Sequence, residues 1–507
     1  MSLNLASIIF ESASNFGNQP ALIADSGNWT YNHLAEKVSK FAEALCDRGI
    51  QKGDRVALMA PNMPAFTVAY FGILTAGAIV VPIHILFTGK EVGFCLKHSG
   101  ARAMVFWHGV EKMAKAGVQI AQKKIILFQI REKCQFVESP DTDFNLAIQS
   151  VQKGNQPFPT MPDDTAVIFY TSGTTGAPKG AEVTHFNLYS NAKWVSEHSL
   201  TTQTRAEFWG PGHVTMAVLP LSHSFAQTCM QNAPLLNGGA ITYLLRFNAQ
   251  DLVQKMAQYQ VSVMAIVPRI VKELLDTDIG AFNLDAFRYC LVGGAPINPV
   301  DIELFEARFE AQVLEGYGLS ETSPVIVFRT PDVPRCAGSV GRAISGVQIG
   351  VVNERGRWLP SDQKGEIVVS GHAVMKGYYR NIKDTQKSIK KGWFYTGDIG
   401  YIDQEQRVFI VDRKKDIIIR SGYTVYPIEV EEVLRTHPKV REVAVVGIFN
   451  KKHGEEVKAV VVGSATQDEL MLHCKKQLAP FKCPRIYEFR QDLPKGIKGQ
   501  VLRRLLK

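Results

Sequence analysis

A short apolar run at residues 166–169, AVIF, leads straight into YTSGTTGAPKG at residues 170–180. No other stretch narrows the fold as much. The run reads as a buried strand, and the eleven residues after it read as the tight loop that the strand feeds. Three Gly, three Thr, one Ser and one Lys fall within that loop. Glycine lets a backbone approach a ligand closely and take up positive φ. Hydroxyls and exposed N–H groups donate to anionic oxygens, and a Lys adds a point charge. The physical reading is a cradle for polyphosphate. It is not a Walker A loop, because Pro178 and Lys179 fall out of register with any GxxxxGK[ST] match.

The flanking chain predicts the frame. A strand over 55–60, a turn over 61–64, an apolar helix over 65–76 and a strand over 78–82 are followed by a helix near 91–98 and a strand over 103–107. Such alternation marks an α/β domain with a largely parallel sheet. The uncharged helix–strand pair ending at residue 82 reads as core, without chemistry. Residues 155–164 are polar and Pro-rich and read as a linker. Strands are expected over 215–219 and 261–268, with a helix over 269–276. The segment PLSHSF, residues 220–225, sets His223 on a turn.

Residues 287–296, FRYCLVGGAP, read as a strand entering a Gly-Gly turn, and AQVLEGYGLSETSP at 311–324 as another strand, a Gly-x-Gly turn and an acid. Tyr317, between two glycines, can lay its ring flat on a purine. Glu321 stands where a carboxylate could hold Mg²⁺, which binds phosphates through one or two protein oxygens. Residues 365–379 and 392–401 are turn-rich and suggest a small β subdomain, with Asp398 in a tight Thr-Gly-Asp turn. A charge cluster from Asp412 to Asp416 separates two apolar strands, and a helix–strand–strand–helix pattern completes the chain. At 507 residues more than one domain is expected.

Bulk properties exclude several classes. Eight scattered cysteines without a CxxC pair argue against a zinc site or disulfide framework and suit a reducing cytoplasm. The N-terminal stretch lacks a basic n-region, and no apolar run is long enough to span a bilayer, so neither a signal peptide nor a transmembrane helix is expected. The net charge of +9 suits anionic ligands such as ATP, pyrophosphate or CoA, and also peripheral contact with an anionic membrane face. No aromatic-interleaved basic stripe points to nucleic acid.

Taken in order, YTSGTTGAPKG, GGAP, EGYGLSET, YTGD and the 411–427 segment VDRKKDIIIRSGYTVYP resemble the motifs of the adenylate-forming superfamily. The likeness is greatest to medium- and long-chain fatty acyl-CoA synthetases and covers nearly the whole chain. It implies a large N-terminal domain of α/β sheets with a small β-rich subdomain, residues 1–411. A hinge at 412–416 would join it to a small, mobile α+β domain, residues 417–507. It implies that Thr171, Ser172, Gly173, Thr174, Thr175, Gly176 and Lys179 close over the β- and γ-phosphates of ATP. By the same resemblance Gly293, Gly294, Ala295, Pro296, Gly316, Tyr317 and Gly318 border adenine, Ser320 meets the α-phosphate and Glu321 ligates magnesium. Asp398 would accept from both ribose hydroxyls with Arg413 nearby, and Lys415 would be the pivot. His223 and Phe225 would line the acyl pocket; Gly422 and Tyr423 would border the pantetheine of CoA. Lys451, Lys452 and Lys482 could meet CoA phosphates or be ordinary solvated charges.

One position departs from the pattern. Similar enzymes carry a Lys directly after the second glycine of the segment that here reads LPKGIKGQVLRR, residues 493–504; this chain has Gln500. A Gln donates hydrogen bonds but carries no charge. Thr171, Lys179 and Glu321 would then supply most of the positioning and charge neutralisation of adenylation, with Gln500 weakened and Lys495 or Lys498 as neighbouring cations. The expected activity is acyl-CoA synthesis from a fatty or related acid through acyl-AMP. Two alternatives stand beside it: acyl transfer to the phosphopantetheine of a carrier protein, and a decayed protein that only binds nucleotide or acyl-adenylate.

Overall fold

The computed structural model describes all residues except 1, 26, 132–142, 172–177, 199–208, 415, 421–422, 451–453, 479–480 and 497–499. Two compact units emerge from it. The first comprises residues 1–337, 341–348 and 370–392; the second comprises 338–340, 349–369 and 393–507. The β-rich residues 349–369 and 393–411 therefore group with the C-terminal residues.

The first unit is built on two sheets. In the nine-stranded sheet the order from one edge is Arg342–Ala343, Val325–Phe328, Gln312–Gly318, Tyr289–Val292, Val263–Ile266, Val214–Ala217, Ala240–Tyr243, Pro20–Ala24 and Gly27–Thr30. Neighbours from Gln312–Gly318 to Pro20–Ala24 run parallel. The seven-stranded sheet orders Gly377–Tyr378, Lys179–Thr184, Thr165–Thr171, Ile79–Pro82, Arg55–Met59, Ala103–Trp107 and Ile126–Ile130. Its last five strands are parallel. Short runs of apolar side chains buried along their length, such as Ala103–Trp107, are what parallel strands covered on both faces require.

The helix Pro64–Thr75 opens on a proline, whose missing N–H costs nothing in a first turn, and is buried from Phe66 to Thr75. A helix apolar all round can only be interior. The stretch 155–164 is not a loose linker. Asn155 N–H donates to Ser39 O, Phe158 N–H to Thr75 O, and Thr160 Oγ1 to Leu3 O at 2.7 Å. These bonds strap it to the first unit; proline and polar residues suit a pinned extended segment as well as a free one.

In the second unit, strand Trp393–Ile402 pairs antiparallel with both Gly365–Gly371 and Val408–Arg413. Beyond them a five-stranded sheet orders Tyr423–Val425, Ile418–Arg420, Gly454–Gly463 and Val440–Asn450, with Ile486–Phe489 on Gly454–Gly463. Helices Pro427–Arg435 and Gln467–Gln477 close over a core that includes Ile418, Val430, Leu434, Val445, Val461 and Leu470. Thr466 and Glu469 form a reciprocal cap at the second helix. Among the described residues, no helix is long and apolar enough to cross a membrane.

Candidate active site

Strand Thr165–Thr171 and strand Lys179–Thr184 form a hairpin whose last paired residues are Thr171 and Lys179. Both ends of the Gly/Thr loop are thus fixed by the ladder. Ser172, Gly173, Thr174, Thr175 and Gly176 lie outside the described residues. Thr171 Oγ1 donates to Glu321 Oε1 at 3.2 Å. Glu321 is 9% exposed on a 3₁₀ turn, Ser320–Thr322, that follows strand Gln312–Gly318. Thr322 Oγ1 accepts from Leu319 N–H at 2.9 Å, and Glu321 O accepts from Met375 N–H, so the turn is held at both ends.

A second hydroxyl reaches the same carboxylate oxygen. Tyr378 OH donates to Glu321 Oε1 at 3.1 Å. Burial first, and the Glu321 charge second, push the Tyr378 phenol up, so it stays a donor. The Tyr378 ring also lies 5.1 Å beneath Lys179 Nζ, which is ion-paired to Asp384 Oδ2 at 2.7 Å. The hydrogen bond from Lys179 holds the Asp384 carboxyl below the usual carboxylate range. Thr171, Lys179 and Glu321, expected together, are together; Tyr378 and Asp384 complete the cluster. Sequence reading passed over these two. Tyr378 belongs to a strand of two residues, too short for any period, and Asp384 to a helix, Ile382–Ser388, of seven.

The glycine turns lie at the carboxyl ends of neighbouring parallel strands. Val292 pairs with Glu315, so Gly293 and Gly316 follow side by side. A Cβ on Gly293 would lie 3.3 Å from Gly316 O and 3.4 Å from the Phe225 ring. Gly294 has φ +82°, and with Ala295 and Pro296 it is exposed. A Cβ on Gly318 would sit 1.6 Å from Pro324 O, so no other residue fits there. Tyr317 between them is half-buried. Carboxyl ends of parallel strands are where open α/β sheets take ligands.

His223 and Phe225 follow the carboxyl end of strand Val214–Ala217. The His223 ring lies 5.3 Å from that of His84, which follows strand Ile79–Pro82 of the other sheet. Asn62 Nδ2 adds a cross-tie to Ala217 O at 2.8 Å. Ser320 Oγ is 3.2 Å from Ser224 Oγ, joining the Glu321 turn to the start of the helix at 224. The carboxyl edges of two parallel sheets therefore meet at Thr171, Glu321, Ser320 and His223.

In the second unit Asp398 is 2% exposed and accepts from Arg413 Nε at 2.7 Å. The expected Thr-Gly-Asp turn is instead strand, within Trp393–Ile402, and Asp398 pairs in register with Arg413. Gly397, at φ +73°, lets the strand continue through a locally left-handed residue. Lys415 and Gly422 lie outside the described residues, and Tyr423 pairs by its backbone with Arg420. Gln500 is exposed; its carbonyl accepts from Gly496 N–H at 2.8 Å. Lys495 is ion-paired with Glu442 at 2.7 Å, while Lys498 is not among the described residues. Lys482 is bound to Glu429 at 2.5 Å, whereas Lys451 and Lys452 are undescribed.

The Glu321 donor set fits Mg²⁺. One carboxylate flanked by hydroxyls is hard and oxygen-only, and Mg²⁺ takes few protein ligands when phosphates supply the rest.

Two sheets meeting at their carboxyl edges, with a small α+β module after them, form the architecture of adenylate-forming enzymes. ATP-bound MatB from Rhodopseudomonas palustris superposes with a TM-score of 0.89 at 29% identity, over 100% of this chain and 98% of that one. The protein is an AMP-forming acid–thiol ligase. It belongs to the AMP-binding enzyme family, whose main domain matches residues 9–379 and whose C-terminal domain matches residues 429–500. A long-chain-fatty-acid–CoA ligase of Escherichia coli O6:H1 is 35% identical, over 99% of this chain and 94% of its own length. A sulfoacetate–CoA ligase of Cupriavidus necator is 32% identical over 98% and 96%.

Proposed function

We propose that the chain activates an aliphatic acid of the fatty-acid class as its acyl-adenylate and then forms the CoA thioester. The convergence of Thr171 and Tyr378 on Glu321, where two sheets meet at their carboxyl edges, carries the adenylation step, and the likeness to long-chain-fatty-acid–CoA ligases supports the acid class and the CoA acceptor. A carboxylate oxygen attacks the α-phosphorus of ATP and pyrophosphate leaves. The CoA sulfur then attacks the acyl carbon, AMP leaves with the bonding pair, and the thiol proton passes to solvent.

The first step asks the protein for positioning and charge neutralisation rather than covalent help. Mg²⁺, held by Glu321, would neutralise phosphate charge. Thr171 and Tyr378 fix the Glu321 carboxylate, and Lys179 offers a cation at the other root of the loop. Gly293, Gly294, Ala295, Pro296, Gly316 and Gly318 border the purine, and Tyr317 offers it a ring face. Ser320 donates to the α-phosphate. His223 and Phe225 border the acyl group. Asp398 takes up the ribose hydroxyls, with Arg413 orienting its carboxylate. Residues 417–507 move about a hinge at 412–416, with Lys415 its pivot, and bring Gly422 and Tyr423 to the pantetheine.

Gln500 replaces a cation where negative charges gather. The loss of such electrostatic stabilisation is worth ~2–4 kcal/mol, or about 10²–10³ in rate. Pyrophosphate release from ATP and a mid-chain acid, measured beside thioester formation from preformed acyl-AMP, tests this. The expected result is slow adenylation, accelerated in Gln500→Lys, with rapid thioester formation in both. Fast adenylation in the unaltered chain overturns the role given to Gln500. Turnover with a pantetheinylated carrier protein but not with CoA would replace the acceptor. Nucleotide binding without either half-reaction would leave a binding protein, the alternative that Gln500 alone suggests.

A further inference from the structure

Helix Gly89–Ser99 is the crossover between the parallel strands Ile79–Pro82 and Ala103–Trp107, and the roles above leave it unused. Near its end the half-buried His98 meets two separate segments at once. Its Nδ1 lies 2.8 Å from Tyr170 OH. Its ring stands edge-on to those of Tyr170 at 5.7 Å and Tyr379 at 5.9 Å, while Phe94, one turn earlier, stacks on it at 5.4 Å. The carbonyl of the next residue, Ser99, accepts from Tyr379 OH at 3.2 Å.

Tyr170 immediately precedes Thr171, and Tyr379 immediately follows Tyr378. Along extended backbone, successive side chains point to opposite faces. The two hydroxyls that reach Glu321 therefore stand on one face, and the two rings that reach His98 on the other. Strand Lys179–Thr184 runs between the two segments, and Tyr379 N–H donates at 2.7 Å to the carbonyl of Gly180, the residue paired with Tyr170. Both bonds to Glu321 are long, 3.2 Å from Thr171 and 3.1 Å from Tyr378, where a hydroxyl donating to an oxygen usually sits at about 2.7 Å. A small outward shift of either segment is enough to lose one of them.

We infer that His98 is a positioning residue for adenylation: its Nδ1 accepts from Tyr170, and its ring fixes the spacing of the two segments whose hydroxyls hold Glu321. The inference rests on the reading of Glu321 as the carboxylate that holds magnesium. The bond needs the neutral ring with its hydrogen on Nε2, because a protonated ring has no lone pair to offer. Burial first, and the Arg380 charge second, push His98 below its usual range, and burial keeps the Tyr170 phenol protonated. Arg380 stacks on Tyr379 at 5.0 Å, and Arg55 donates to Ser99 O at 2.7 Å and to Gly100 O at 2.8 Å. Cys95 stands beside Tyr170, and among the described residues no carboxylate pairs with His98. Charging the ring in acid therefore removes the acceptor and adds a cation beside Arg380 and Arg55.

The test follows pyrophosphate release by the full chain against Mg²⁺ concentration and pH. His98→Phe keeps an aromatic ring and deletes the acceptor. It is expected to slow release about three- to tenfold and to raise half-saturating Mg²⁺, with thioester formation from acyl-AMP slowed less. His98→Asn, whose Oδ1 stands one bond from Cγ as Nδ1 does, is expected to restore most of both. In the unaltered protein the rate is expected to fall as pH drops below 6.5, an acid limb that is shallower in His98→Asn. Tyr170→Phe deletes the same bond from its other end and is expected to match His98→Phe, so the proposal stays testable should one of the two fail to fold. Equal slowing of both half-reactions, an unmoved Mg²⁺ requirement, an unaltered acid limb or a loss that Asn does not restore would overturn the role and leave His98 a packing residue. Glu321→Gln, run beside these, tests the reading beneath: an unchanged Mg²⁺ dependence there would overturn the magnesium role of Glu321, and this proposal with it.

Discussion

Tyr378 and Thr171 direct their hydroxyls to one oxygen of Glu321 from the two strands that flank Lys179–Thr184. A carboxylate held by two donors keeps one orientation, and a single hydrogen bond to a charged group contributes about 1.5–3 kcal/mol. Tyr378→Phe is expected to slow pyrophosphate release by about 10- to 100-fold and to raise the Mg²⁺ concentration needed for half-maximal rate, with thioester formation unchanged. An unchanged Mg²⁺ dependence would remove Tyr378 from the metal-holding set. Thr171, Lys179 and Glu321 were legible in the sequence because each belongs to a motif dense in glycine and hydroxyl residues. Tyr378 was not, since 57 residues separate it from Glu321 and only the fold brings its ring under Lys179.

At the scale of the elements, the parallel strands and the buried helix Pro64–Thr75 were legible as uninterrupted apolar runs between turn residues. The strap at 155–164 was not, because composition does not record which carbonyls a polar segment meets. A π turn, Thr228–Asn232, interrupts the helical stretch after His223 and leaves no local signature either. Helix His185–His198 offers a pH test. His185 is 1% exposed, and its Nδ1 accepts from Leu5 N–H at 3.0 Å, which requires the neutral ring. Burial pushes its pKa down from 6.5 to about 4. The unfolded chain therefore binds the proton more readily. The stabilisation is complete above pH 6.5 and is lost as pH falls through 4, about 3 kcal/mol in all. Urea midpoints are expected to fall across that window, and His185→Gln to flatten this component of the fall. A variant with the unaltered slope would show that other groups set it.

For the whole molecule, the division into two units predicts how stability is shared. Arg503 binds Glu431 at 2.7 Å, Asp412 at 3.4 Å and Asp416 at 3.5 Å, all within the second unit. Removing the cation leaves Asp412 and Glu431 buried without it, a change that costs about 3–5 kcal/mol. Calorimetry of Arg503→Met is expected to show the transition of the second unit lowered by several degrees while that of the first stays in place. A single transition that moves as a whole would mean that the two units unfold as one. The grouping of residues 349–369 with the C-terminal region was not legible from the sequence, because only contacts across strands Gly365–Gly371, Trp393–Ile402 and Val408–Arg413 define it. The hairpin that ends at Thr171 and Lys179 has a consequence of another kind. Its rungs, up to the pair Thr171 and Lys179, belong to the sheet. The phosphate loop proposed between those two residues can therefore vary through descent while the paired scaffold at its roots stays the same.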